Sequence, residues 1–186
     1  FKNFCVVNER SAMKVNTDGV LLGAAMTISP TDRRLLDIGT GTGTIALMAA
    51  QRVLGIPGQA GDDEMRSGDD EVRAGGDVLI DAIDVDEPSA SEAAVNFKES
   101  PWADHLRVHN LSLQDFAEAD SASYDLIFSN PPYFEDSLTA PDERKSTARH
   151  TSEGLSYRDI FDFAAKRLSE KGRVSLVLPA DQETAV

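Results

Sequence analysis

Residues 35–43 read Leu35-Leu36-Asp37-Ile38-Gly39-Thr40-Gly41-Thr42-Gly43. An apolar run leads into three alternate glycines, and Ile45, Met48, Ala49 and Arg52 then recur at i, i+3, i+4 and i+7. That order predicts a strand, a tight turn and a helix over Ile45–Leu54. Glycines let the backbone turn sharply and approach a ligand closely, while the helix N-terminus offers unpaired N–H groups. A phosphate-binding P-loop needs Gly-Lys-Ser/Thr, which is absent, and the dinucleotide fingerprint needs a glycine at 44, where Thr44 stands.

The surviving spacing, G-x-G-x-G with an acid two residues before the first glycine, is the pattern of S-adenosylmethionine (AdoMet) enzymes. An anion-binding turn has no use for Asp37, whereas a ligand with a cationic α-amino group does. On this stretch alone, a structural turn or another nucleotide site stays open.

Outward from the turn, short apolar runs alternate with helical patterns. Strands are predicted at Leu35–Gly39, Val78–Asp84, Leu106–Asn110, Asp125–Ser129 and Gly172–Leu178, with further helices at Ser89–Glu99 and Tyr157–Ser169. Five β units in succession predict an α/β fold, a doubly wound and mostly parallel sheet of Rossmann-like form, with its ligand beyond the carboxyl ends of the strands. Gly55–Gly76 breaks the rhythm with six glycines and a strongly acidic run, and is expected to be a flexible insert within a single domain spanning 1–186. Asp136–Glu153 is also polar and loop-like.

Asp84 closes Ile80-Asp81-Ala82-Ile83-Asp84. An acid ending the second strand of such a sheet is placed to accept hydrogen bonds from ribose hydroxyls, and the insert accounts for its long separation from Gly43. The bland alternative is an acid-rich helix start formed with Asp86 and Glu87.

The fourth strand ends in Asn130-Pro131-Pro132-Tyr133. Two prolines stiffen the backbone and leave its carbonyls free. The Asn130 Oδ1 and the Pro131 carbonyl can together accept the two N–H bonds of a planar –NH2 group, localising its lone pair and stabilising the charge that develops on nitrogen. Tyr133 can stack on the planar group and hold it in line with a methyl donor.

Composition narrows the partners. The 186 residues carry 18 Lys+Arg against 32 Asp+Glu, a net charge of −14, which excludes a uniformly basic nucleic-acid groove but leaves room for a local basic patch. Between Asp62 and Arg73 six acids face two arginines. The single cysteine, Cys5, and three scattered histidines suggest neither an internal disulfide nor a zinc site. No apolar run is long enough for a membrane span and no leader opens the chain, so a cytoplasmic protein without metal is expected. Nothing in the sequence indicates an oligomeric state.

Taken together, these motifs resemble a class I AdoMet-dependent methyltransferase of the N-methylating Asn-Pro-Pro-Tyr type. Over nearly the whole chain the closer resemblance is to the bacterial tRNA1(Val) adenine-N6 methyltransferases. It rests on Phe4, Arg10–Val15, Thr17–Gly23, Leu36–Gly43, Ser100-Pro101-Trp102-Ala103, Ser129–Tyr133 and Ala148-Arg149-His150. The resemblance implies that Asp37, Gly39 and Gly41 hold the methionine part of AdoMet and Asp84 the ribose, that Thr40 and Val85 also belong to the cofactor site, and that Asn130, Pro131 and Tyr133 bind the target amine. It places Lys14, Thr17 and Asp18 in an N-terminal segment closing over the pocket, against a bland reading of Thr17-Asp18-Gly19 as a helix cap. Where relatives carry an acid near the AdoMet adenine, this chain has Ser112 followed by Leu113, with Asp115 nearby. The family's last two strands have no counterpart before Val186, which reads as a C-terminal truncation and would leave a fifth-strand edge to be covered.

The function so implied is methyl transfer to the exocyclic N6 of a tRNA adenine, position 37 of a valine tRNA, with Arg144, Lys145 and Arg149 as a local basic patch on the tRNA phosphates. No metal and no histidine base is required. Alternatives are a glutamine-N5 methyltransferase acting on a release factor, which the acidity favours, and an rRNA guanine-N2 or DNA adenine-N6 enzyme.

Overall fold

The computed structural model describes residues 1–56, 77–131 and 155–178. Five strands form one sheet: β1 (Arg34–Ile38), β2 (Leu79–Ile83), β3 (Leu106–His109), β4 (Tyr124–Ser129) and β5 (Leu168–Leu176). Their order is β3-β2-β1-β4-β5, and every ladder is parallel. The chain steps outward from β1 to β3 and then returns to the other side of β1. The strand order therefore reverses between β1 and β4, and the crevice expected of a doubly wound fold opens at their carboxyl ends.

Helices cover both faces. They are α1 (Thr17–Ala25), α2 (Thr44–Leu54), α3 (Glu87–Lys98), α4 (Leu113–Ala119) and α5 (Tyr157–Arg167). Successive strand residues point to opposite faces, so Leu35, Ile80, Leu126 and Phe128 join Ala46, Leu47, Ala93 and Phe97 in one core. Leu36, Ile83 and Ile127 join Leu113, Phe116, Ile160 and Phe163 in the other. A strand buried on both faces reads as a continuous apolar run, which is why β1 and β4 were easy to see in the sequence.

Several boundaries move. Strands β1 and β2 stop one residue short of their predicted ends, at Ile38 and Ile83. Helix α3 begins at Glu87 rather than Ser89, because Asp86 accepts the Ser89 N–H as N-cap and Pro88 is tolerated in the first turn. Helix α5 stops at Arg167, not Ser169, and β5 begins at Leu168, not Gly172. Between Tyr124↔Leu168 and Leu126↔Arg173 the register jumps, so β5 carries extra residues there. A Cβ on Gly172 would lie 2.8 Å from the Tyr124 carbonyl oxygen, so the return to register needs a glycine.

Helices α1 and α4 were not predicted. Only nine and seven residues long, they are too short for a clear period, and their signals were caps: Asn16 before α1 and Ser112 before α4. In α1 the cap is Asn16, and Thr17 is already helical. Residues 57–76 of the expected insert, Asp136–Glu153 and the last eight residues lie outside the described residues. Among the described residues no helix is long and apolar enough to cross a membrane.

Candidate active site

The turn after β1 is held by three N–H bonds to the end of β2. The N–H groups of Gly39 and Thr40 both donate to the Ile83 carbonyl, at 2.9 and 3.0 Å, and the Gly41 N–H donates to Asp84 Oδ2 at 2.8 Å. Gly39, Gly41 and Gly43 have φ of +71°, +56° and +78°, the left-handed region where side chains are strained. Gly43 is doubly constrained: a Cβ there would sit 2.4 Å from Phe97 Cε1. Among the described residues the space beside Gly39 is open, the nearest neighbour of a Cβ there being Leu155 Cδ2 at 3.8 Å.

Asp37 is fully buried. Its Oδ2 accepts the Thr40 hydroxyl at 2.7 Å, and the nearby Ala46 N–H at the start of α2 favours the charged carboxylate. The carboxylate thus braces the glycine turn through Thr40, in keeping with the structural-turn alternative that the sequence left open. Its Oδ1 is buried without a hydrogen-bond partner among the described residues. Burial pushes the Asp37 carboxyl up to about 7, with the negative charge of Asp84 adding to the rise, against the Thr40 bond and the Ala46 N–H.

Asp84 is partly exposed, with Oδ2 on Gly41 and Oδ1 accepting the Asp86 N–H at 2.9 Å. Burial raises its carboxyl above the ordinary aspartate value despite these bonds. Two carboxylates beneath one glycine turn favour a cation or a hydroxyl donor and disfavour a pyrophosphate.

Across the crevice, Ser129 Oγ donates to the Ile38 carbonyl at 2.6 Å and ties the ends of β4 and β1 together. Asn130 follows, 7 % exposed, with Nδ2 donating to Asn16 Oδ1 at 3.3 Å and Oδ1 buried without a partner. Pro131 is buried. Lys14, Asn16 and Gly19 line the same crevice as Gly39, Gly41 and Asn130. The segment before α1 therefore does lie over the glycine turn.

What docks that segment is helix α3. Glu92 accepts backbone N–H groups of Glu9, Arg10 and Ser11 at 2.6, 2.8 and 3.0 Å, and Asn96 bonds both Val7 and the Thr42 carbonyl. Ser11 and Ser89 share a hydroxyl bond at 2.9 Å. Phe4 packs edge-on against buried Trp102 at 5.8 Å, so two motifs of the resemblance meet in the core rather than at a ligand.

The other expected residues divide as follows. The Lys14 ammonium donates to the Glu9 carbonyl at 2.7 Å. Thr17 opens α1, Thr40 serves Asp37, and Val85 is 76 % exposed just past β2. The Ser112 hydroxyl is committed to the α4 cap through Asp115, and the Leu113 side chain belongs to the core, which leaves its backbone for a ligand. Tyr133, Arg144, Lys145, Arg149 and His150 lie outside the described residues. His105 and His109 are occupied by the Val78 carbonyl and Asp81. Sequence reasoning missed Asn16, Glu92, Asn96 and Asn110, whose Nδ2 bridges the carbonyls of Asp84 and Val85.

A parallel sheet of this order, with a glycine turn and two acids at its switch point, defines a Rossmann-like methyltransferase domain. A profile of the UPF0020 family, an RMKL-like methyltransferase domain, matches residues 24–185, and the chain belongs to this methyltransferase family. It is 41 % identical over 188 residues to the tRNA1(Val) (adenine(37)-N6)-methyltransferase of Parabacteroides distasonis, covering all of this chain and 68 % of that protein. To the enzyme of the same name from Yersinia pseudotuberculosis it is 40 % identical over 179 residues, covering 96 % of this chain and 62 % of that one. The chain thus spans about two thirds of the length of these relatives. Among solved structures, an AdoMet-dependent methyltransferase from Agrobacterium tumefaciens superposes with a TM-score of 0.54 at 15 % identity, over 89 % of this chain and 47 % of that one. Cofactor-bound Rv0187 from MTB gives 0.51 at 16 %, over 90 % and 58 %. Both share the fold.

Proposed function

We propose that the chain transfers a methyl group from AdoMet to the exocyclic N6 of an adenine in tRNA, the adenine at position 37 of tRNA1(Val) named for its relatives, in the cytoplasm. The observation that carries this reading is Asn130, which lines the same crevice as the glycine turn and whose carboxamide is buried at the end of β4 with its Oδ1 unpartnered among the described residues. A buried acceptor with no protein partner is costly unless a ligand donor meets it.

The residues present fit the cofactor. Asp37 Oδ1 is a second unpartnered buried acceptor, the space beside Gly39 is open, and the paired acids suit a cationic ligand bearing hydroxyls. Asp37 with Gly39, Thr40 and Gly41 would hold the methionine part, and Asp84 the ribose. Val85 and the Ser112–Leu113 backbone follow the ends of β2 and β3 on the adenine side. Lys14 and Thr17 belong to the segment above. AdoMet supplies a methyl already activated on a sulfonium, so the chain needs no nucleophile.

Asn130 Oδ1 and the Pro131 carbonyl accept the two N–H bonds of the amine, draw its lone pair out of the ring and orient it. Tyr133 stacks on the base. The methylated nitrogen is strongly acidic and loses its proton to water. Arg144, Lys145 and Arg149 contact the tRNA phosphates.

The test supplies the complete protein with tritiated AdoMet and either unmodified total tRNA or release factor. Label on a tRNA adenine is expected. Label in release factor and none in tRNA overturns the proposal and favours glutamine methylation.

A further inference from the structure

We infer that Asn16 is a positioning residue for Asn130, setting which end of its carboxamide faces the crevice; the inference rests on the reading of Asn130 as the amine acceptor. Asn16 is the N-cap of α1, and its Oδ1 accepts the backbone N–H of Gly19 at 2.8 Å. A backbone N–H can only donate, so the oxygen end of Asn16 is assigned without ambiguity. That same oxygen is 3.3 Å from Asn130 Nδ2. Were the Asn130 carboxamide turned over, two carbonyl oxygens would face each other. The helix cap therefore selects one of the two faces of a side chain 114 residues away, with the NH2 toward α1.

The consequence is at the other end. With its NH2 committed, Asn130 is left with its oxygen as the free group, buried and unpartnered among the described residues. An amine needs an acceptor there, and the opposite face of the amide would offer it a second donor. Packing holds the contact: a Cβ built on Gly19 would lie 3.4 Å from Asn16 Oδ1 and 3.5 Å from Asn130 Nδ2, so α1 sits directly against the pair. Asn16 and Asn130 also line one crevice with Gly19, Gly39 and Gly41. A capping residue drawn from the sequence's N-terminal segment thus acts on the chemistry without touching the reacting atoms.

Two substitutions separate this role from capping. Asn16→Ser keeps an N-cap hydroxyl but is too short to reach Asn130, while Asn16→Asp keeps an acceptor for both donors. In the complete protein, Asn16→Ser is expected to lower kcat about five- to tenfold, the worth of one hydrogen bond, with AdoMet Kd changed less than about twofold. Asn16→Asp is expected to restore most of the turnover. The second readout is the Asn130 side-chain NH2 signal in a 1H–15N spectrum, identified by its loss in Asn130→Ala. It should shift and exchange faster with water in Asn16→Ser, and hold in Asn16→Asp. Unchanged kcat and an unmoved signal in Asn16→Ser, or equal losses in both variants, overturn the positioning role. Turnover surviving in Asn130→Ala instead sinks the reading of the amine site itself.

Discussion

Asp84 Oδ2 accepts the Gly41 N–H at 2.8 Å, so the end of β2 holds the turn that leaves β1. The acid expected at a ribose is part of the scaffold, and it also accepts the N–H of Asp86 at the start of α3, as the helix-start alternative allowed. Asp84→Ala leaves the N–H groups of Gly41 and Asp86 without their acceptor, at a cost of about 1–3 kcal/mol. The variant should melt earlier and bind AdoMet at least tenfold more weakly by calorimetry. Turnover at saturating AdoMet should fall less than affinity does. A variant with wild-type affinity would remove Asp84 from the cofactor site.

Asp37 gives a pH signature. Held near 7 against an ordinary 3.8, it keeps in the folded chain a proton that the unfolded chain has already lost. Stability therefore falls as pH rises between about 4 and 7, and above 7 the whole cost of the buried charge is present. Asp37→Asn does not titrate. Its melting temperature relative to wild type should rise by several degrees from pH 5 to pH 8, measured by thermal denaturation. A difference independent of pH would mean that Asp37 titrates as an ordinary carboxyl. AdoMet affinity should drop in the same variant.

The glycines of the turn are not equivalent. Gly39→Ala meets only the strain of positive φ, about 1–2 kcal/mol, because the space beside it is open. Gly43→Ala adds a collision with Phe97 and should cost about 2–4 kcal/mol or prevent folding. Urea denaturation ranks the two; Gly39→Ala as the more damaging change would contradict the packing described.

Glu92 anchors the segment over the crevice. Burial by itself would raise its carboxyl, yet the N–H groups of Arg10, Glu9 and Ser11, with the Lys14 charge, hold it below the ordinary 4.5. Its stabilisation is present above that value and disappears as pH falls through the lowered one. Glu92→Ala should expose residues 9–14 to protease at pH 7, with cleavage several times faster than in wild type. The gap in melting temperature between the two should narrow progressively as pH falls below the ordinary glutamate value. An equal cleavage rate would show that Phe4 and Asn96 suffice to hold the segment.

Much of this fold was legible because doubly buried strands have only one way to look. Leu35–Ile38 and Leu126–Phe128 are continuous apolar runs, and their ends announced the glycine turn and Asn130. Helices α1 and α4 were not legible, since each is carried by a single cap and a few buried residues. The start of β5 was hidden by an irregular register that only Gly172 hints at. Ser100-Pro101-Trp102-Ala103 stood out as a family mark, and its Trp102 serves the core by packing on Phe4 and donating to the Gly55 carbonyl.

By itself, the sequence determined the succession of the five strands with helices α2, α3 and α5, the glycine turn and the chemical kinds of group available to a methyl donor and an amine. Those follow from local periodicity and from backbone conformations that only certain residues tolerate. Tertiary structure alone decided that Asp37 is buried and braces the glycine turn, that Glu92 and Asn96 hold the N-terminal segment, and that Asn16 meets Asn130. These contacts join residues about 80 or more positions apart, or depend on which face of a helix meets a sheet, and a linear pattern carries no record of either.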